Sequence, residues 1–299
     1  MKIAIISLSA AGGRIAARLA EDWPGCDVFL HSAVGEADKR QSAAEAPCPP
    51  FAASHPPPRR FARIVDLTRE IFAAYDALLY VAPTGVVVRA IAPLVAHKTV
   101  DPAVVVIDVG GRWAISLLGG HERGGNALAL AAANCLGAEP IISTATEAAK
   151  DLIVGLGCRR GTSADAITAA IREALTLAGC DLARVRLLAT AAVKADEPGL
   201  LEAARRLDVP LRIIDCDEIR ATIYAFEPSR PAQDHVDLPA VAEPAALLAG
   251  RRTQLLLPKQ ARHGVTVAIA RENCTWLASD PAGASTAPTG PSRPSPKAE

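Results

Sequence analysis

The stretch Lys2–Gly13, KIAIISLSAAGG, decides the fold class. One lysine ahead of a short apolar run has the outline of a secretion signal. The run, however, ends in small residues and a glycine pair, and helical spacing follows at Ile15, Ala16 and Leu19. It reads as a buried strand, a glycine turn and a helix. The same alternation continues outward. CDVFLH is a second strand, DALLYVA a third, and Thr84 is placed to cap the helix after it. AVVVIDV and RWAISLL are strands joined by Gly110-Gly111, which reads as a hairpin. NALALAAANCLG is a helix stopped by Gly137, and EPIIS is a short strand. FARIVDLTREIFAAY has helical amphipathicity through Phe61, Ile64, Val65, Leu67 and Ile71.

A second series begins near Asp151. DLIVGLG, RVRLLAT, PLRIID, TQLLLP and GVTVAIAR read as strands. TSADAITAAIREALTLAG reads as a helix capped by Thr162 or Ser163 and closed by Gly179. EPGLLEAARRL is a helix with Pro198 in its first turn, and AVAEPAALLAG a short one. Strands alternating with helices predict an α/β protein: two α/β lobes with largely parallel sheets and a cleft between them. The expected units are 1–150, with a Pro-rich loop at about 35–60, then 151–278, and a disordered Ser/Pro/Ala-rich tail at 279–299.

Half of the 299 residues are hydrophobic, enough for a sizeable core, and Lys plus Arg equals Asp plus Glu at 32 each. That balance gives no global pull toward nucleic acid or an anionic membrane, and no segment reaches membrane-spanning length. The seven cysteines form no C-x-x-C pair, which predicts reduced thiols in a cytoplasmic protein.

Few motifs carry chemistry. GLGCRRG has Gly155, Gly157 and Gly161, but Arg160 stands where a dinucleotide loop needs its third glycine. As a strand-to-helix turn with Arg159 and Arg160 beside it, it is equally a carboxylate-binding turn or a tight turn with two solvated arginines. Cys158 beside the arginines is either a structural thiol or one with a lowered pKa. HERGG begins like a zinc-protease motif, but Gly125 replaces its second histidine. His121 lies in a glycine turn after a strand. It either caps the turn or, at the sheet edge where ligands bind in open α/β proteins, acts as a general acid or base.

Long segments in a fixed order then resemble a known family. APTGVVVRAIAPLVAHKTVDPAVVVIDVGGRWAISLLGGHERGGN and LGAEPIISTATE are similar to the N-terminal domain of CbiG proteins. VGLGCRRGTSADAI, KADEPGLLEAARRLDVPLRIID, VAEPAALLAG and LLLPKQARHGVTVAIAR are similar to their C-terminal domain, which also exists alone as CobE. The resemblance implies a cobalt-precorrin-5A hydrolase of anaerobic cobalamin biosynthesis. Such an enzyme acts on a carbon–carbon bond, opening a δ-lactone and releasing acetaldehyde to give cobalt-precorrin-5B. The alternative is a non-catalytic corrinoid carrier of the same pathway. The implied substrate supplies its own cobalt and electron sink, so no protein cofactor or metal site is expected. Other cobalamin-pathway enzymes such as precorrin methyltransferases are the expected partners, with a homodimer left open.

The resemblance does not assign catalytic residues. From the residues themselves we expect His121 and Glu147 to be catalytic. Substrate binding is expected at Thr84, Gly85, Arg89, Gly120, Asn126, Thr144 and Thr146, and at Gly157, Cys158, Arg159, Arg160, Lys194, Glu197 and Lys259. The cations suit a substrate rich in carboxylates. Two departures from the family pattern stand out. Glu122 and Arg123 occupy positions that are usually leucine and glycine. The segment that many members carry between the TATE and VGLG stretches is missing.

Overall fold

The computed structural model describes residues 1–34, 55–223, 233 and 238–273. The first sheet has seven strands: β1 (Ile3–Ser7), β2 (Asp27–His31), β3 (Arg59–Phe61), β4 (Ala77–Val81), β5 (Ala103–Ile107), β6 (Trp113–Leu118) and β7 (Glu139–Ile141), in the order β3-β2-β1-β4-β5-β6-β7. β1, β4 and β5 are buried throughout, as strands covered on both faces must be. Alternate side chains serve opposite cores. Ile3, Ile5, Leu79, Val105 and Ile107 pack under α1 (Ala10–Asp22) and α4 (Gly125–Leu136). Ala4, Ile6, Leu78, Tyr80 and Val106 pack under α2 (Ile64–Ile71) and α3 (Thr84–Ile91). A leucine such as Leu78 or Leu79, fully buried, contributes about 2 kcal/mol by leaving water.

All pairings in this sheet are parallel except β5–β6, where Val104 faces Leu118 and Ile107 faces Ala114. The reversal is the expected hairpin. Gly111 takes a left-handed φ of 67°, and Asp108 accepts from the N–H groups of Arg112 (2.7 Å) and Trp113 (2.9 Å). β7 runs parallel to β6. The second sheet has the order β10-β9-β8-β12-β11, from β8 (Leu152–Cys158), β9 (Val185–Ala191), β10 (Leu211–Ile214), β11 (Thr253–Arg262) and β12 (Val265–Glu272). β8, β9 and β10 are parallel, and β12 is antiparallel to both β8 and β11. One face carries α6 (Ala164–Leu177) and α7 (Pro198–Leu207). The other carries α8 (Cys216–Ala221) and α9 (Ala242–Leu248), and Leu130 of α4 joins that core. Only residues 142–151, including the short α5 (Ala145–Ala148), join β7 to β8.

The two halves meet along α4. Asn134 takes the N–H of Ile213 (3.0 Å) and gives its amide to the carbonyl of Leu211 (2.8 Å), closing the open side of edge strand β10. Arg212 is buried and donates to the carbonyl of Ala138 (2.6 Å), and its burial lowers its pKa. Arg251 grips Glu139 with two nitrogens, at 2.6 and 2.9 Å. None of the expected site residues lies in this seam.

Local expectations differ from the structure at two points. Phe61 belongs to strand β3, not to the helix after it, because RRF pairs with β2 and the helix starts only at Ile64. Pro83, not Thr84, occupies the cap position of α3. Of the Pro-rich loop expected at about 35–60, residues 35–54 lie outside the described residues, as does the tail at 279–299, and Arg59 and Arg60 belong to β3.

Candidate functional site

Apart from Lys259, the expected site residues fall at three separate places. Thr84 and Gly85 open α3, after the C-terminal end of β4. Thr84 is half-buried, Gly85 and Arg89 are exposed, and Arg89 lies back on its own helix, donating to the carbonyl of Gly85 (2.9 Å). This is the edge at which the strand order reverses between β1 and β4, the usual ligand edge of a doubly wound sheet. Ser9 caps α1 on the same edge, accepting from Gly12 N (3.1 Å).

The His121 turn is at the opposite edge. Because β6 is reversed, its end lies beside the starts of β4 and β5, not their ends. A Cβ on Gly119 would stand 3.2 Å from Ala103 Cα, and Arg123 reaches Asp76, the residue before β4, at 3.7 Å. At about 3.3 Å per strand residue the two edges are roughly 15 Å apart. The expectation that His121 occupies the usual ligand edge is therefore overturned: Thr84, Gly85 and Arg89 do not share a site with it. The cause is the β5–β6 hairpin.

Within that turn the structure brings together Gly120, His121, Asn126 and Thr144. Asn126 Oδ1 accepts from Ser116 Oγ (2.8 Å), and its Nδ2 donates to Thr144 Oγ1 (3.1 Å). Gly120 is required by this packing, since a Cβ there would meet Asn126 Oδ1 at 2.7 Å and Thr144 Cγ2 at 2.9 Å. Gly124 enters α4 with a left-handed φ of 77°. The Asn126 amide thus braces the turn. His121 is exposed, with no hydrogen bond among the described residues. Its unusual neighbours have defined partners. Glu122 pairs with Lys98 at 2.9 Å, which holds its carboxyl below the usual range, and Arg123 pairs with Asp76. Thr146 is exposed on α5, and half-buried Glu147 is paired with Lys150 at 2.7 Å.

The third place is the end of β8. Of the glycines of GLGCRRG, Gly155 has a packing reason and Gly161 takes a left-handed φ of 77°. A Cβ on Gly155 would enter the Ala242 carbonyl of α9, and one on Gly157 would contact Val241. Gly155 thus lets α9 approach closely. The turn already holds an anion: Glu197 Oε1 accepts the N–H of Gly161 at 2.7 Å. Glu197 is 1% exposed, and its Oε2 is buried without a hydrogen-bond partner among the described residues. Thr162 Oγ1 donates to the carbonyl of Arg159 (2.7 Å) and Ser163 caps α6, completing a rigid turn. Cys158 lies near Lys194 and Glu197. Burial raises its pKa, Lys194 opposes the rise and Glu197 adds to it. Of the two readings of Cys158, the thiol lowered by the arginines is not met, because burial outweighs the nearby charge. Arg160 pairs with Asp196 at 3.6 Å, while Arg159 and Lys194 have no carboxylate partner among the described residues. Lys259 stands apart on β11, its N–H bonded to buried Glu243 of α9 at 3.0 Å.

Fold and sites together define a doubly wound α/β unit joined to a second α/β unit, with basic and histidine-bearing glycine turns and, among the described residues, no cluster that would hold a metal. Among the same residues, no helix is long and apolar enough to cross a membrane. Residues 66–147 match the family described as Cobalamin synthesis G N-terminal, and residues 152–270 the one described as Cobalamin synthesis G C-terminus. The chain belongs to the cobalamin synthesis G, or CbiG, family.

Three relatives give the range. The cobalt-precorrin-5A hydrolase of Priestia megaterium is 24% identical over 365 aligned positions, covering 89% of this chain and 94% of that protein. The protein of the same name from Salmonella typhimurium is 51% identical over 82 residues, only 27% of this chain and 23% of that one. Protein CobE of a Sinorhizobium species is 35% identical over 127 residues, 42% of this chain and 82% of CobE.

Proposed function

We propose that this protein opens the δ-lactone of cobalt-precorrin-5A and releases acetaldehyde, giving cobalt-precorrin-5B. The observation that carries this reading is the alignment along nearly the whole chain with a relative named for that reaction, across both family segments. The residues suit it. Lactone opening needs a polarised carbonyl and an activated water, and an exposed histidine in a braced turn supplies a proton-transfer group. His121 has that role in this reading. Asn126 and Gly120 hold the turn, and Glu147 stands on the segment that Thr144 ties to it. The cations Arg159, Arg160 and Lys194 receive substrate carboxylates. The substrate brings its own cobalt and conjugated ring, so the protein supplies binding, orientation and proton transfer.

The test is direct. Purified protein is incubated with cobalt-precorrin-5A, and acetaldehyde and the macrocyclic product are assayed. Stoichiometric acetaldehyde is expected. Tight binding of the macrocycle with no acetaldehyde would overturn the hydrolase reading in favour of a carrier.

A further inference from the structure

The reaction proposed above has two proton-dependent steps, and the exposed histidine accounts for one. Water adds across the lactone, leaving a carboxylic acid and a secondary alcohol. Acetaldehyde is then lost when a base takes the alcohol O–H proton. The O–H electron pair becomes the carbonyl π bond, and the carbon–carbon bond breaks with its pair passing to the macrocycle. The ring delocalises that pair and then takes up a proton. No external oxidant or reductant enters.

From the end of β8 we infer that Glu197 is the base for this second step. Three observations carry the inference, which rests on the reaction proposed above. First, Glu197 is held in place: Oε1 is fixed by Gly161 N–H at 2.7 Å, and a Cβ on Gly199, two residues on, would enter the Thr162 carbonyl. Second, its Oε2 is buried with no donor among the described residues. A buried carboxylate oxygen left without a donor is costly, so a hydroxyl that can donate to it is favoured there. Third, a weak surface ion pair flanks it in the chain. Asp196 and Arg160, immediate chain neighbours of Glu197 and Gly161, form an ion pair at 3.6 Å with side chains 72% and 71% exposed. Exposed pairs of this kind are weak. A substrate carboxylate competing with Asp196 for Arg160 seats the macrocycle at this turn, with the new hydroxyl toward Oε2.

The experiment uses the full chain, cobalt-precorrin-5A and the E197Q variant, which keeps an oxygen for Gly161 N–H but not the base. Acetaldehyde is assayed, and quenched mixtures are examined by mass spectrometry. E197Q is expected to release acetaldehyde about 100-fold more slowly or worse. It should accumulate a species heavier than substrate by one water, with a melting temperature matching the wild type. Acetaldehyde release by E197Q at the wild-type rate overturns the assignment. So does a well-folded E197Q that neither opens the lactone nor accumulates the intermediate. If E197Q fails to fold, E197D takes its place, with the same intermediate expected and wild-type turnover overturning the idea. R160A is expected to raise KM with little change in kcat, and a lost kcat there would remove the ion-pair argument. A wild-type protein that releases no acetaldehyde fails the reaction itself, a result distinct from any difference between variants.

Discussion

The two glycine turns, Gly119–Asn126 and Gly157–Ser163, share one local grammar: strand, glycines, helix. Their braces differ. The first is tied by a neutral amide, with both polar ends of Asn126 engaged and the titratable His121 left in solvent. The second is tied by a buried carboxylate, with one oxygen of Glu197 engaged and cations left outside. A neutral brace adds no charge to the turn. A charged one fills its anion site with the protein's own group. The lesson is that a glycine turn at a helix start does not by itself mean an open anion site; the brace decides.

The largest effect expected of that contrast comes from removing the close approach behind the second turn. Gly199→Ala sets a Cβ into the Thr162 carbonyl and should cost about 3 kcal/mol in urea unfolding. A cost under 1 kcal/mol would mean that the turn is not rigid. Next is His121→Ala. Turnover of cobalt-precorrin-5A should fall about 100-fold, with thermal stability within about 0.5 kcal/mol of wild type, since the side chain is exposed. Unchanged turnover would remove the proton-transfer role and leave the chemistry at the β8 turn. Asn126→Ala breaks the neutral brace and strands Ser116 and Thr144. A loss of about 1–2 kcal/mol is expected in the same unfolding assay, against none for Ala127→Ser on the exposed side of α4.

The smallest effect belongs to the Lys98–Glu122 pair. Lys98 holds the Glu122 carboxyl below its ordinary value in the folded protein. Any stability it contributes is therefore present above the unfolded-state value and is lost as pH falls through the lowered one. Both side chains are exposed, so Glu122→Gln should leave the melting temperature unmoved in 1 M salt and at most slightly lower in dilute buffer near neutral pH. A large shift in high salt would show that the pair does more than fix the turn.

Much of this was legible in the chain. Buried strands such as IAIIS and AVVVI announce themselves as unbroken apolar runs, and Gly110-Gly111 announced the hairpin. β3 was not legible, because three residues with two arginines carry no strand period of their own; pairing with β2 makes the strand. Thr84 was misplaced as a cap because Pro83 already supplies the extended backbone before the helix. The site was harder. The identity of the turns is local, but which edge each faces depends on strand direction summed over the whole sheet. The bond from Glu197 to Gly161 spans 36 residues and has no local signature beyond Pro198 marking a helix start.

The reversed strand β6 also has an electrostatic consequence. α4 must run back against β6, so it lies antiparallel to α1, beside which it packs over one face of the sheet. Each helix presents about half a positive charge at its first turn and half a negative charge at its last. In an all-parallel sheet these poles would align and make one face of the molecule strongly positive. Here the neighbouring dipoles oppose and partly cancel, and a separate positive pole is set at the far edge, beside His121. The field of the first unit is thus divided between two ends, so negative charge is favoured at both.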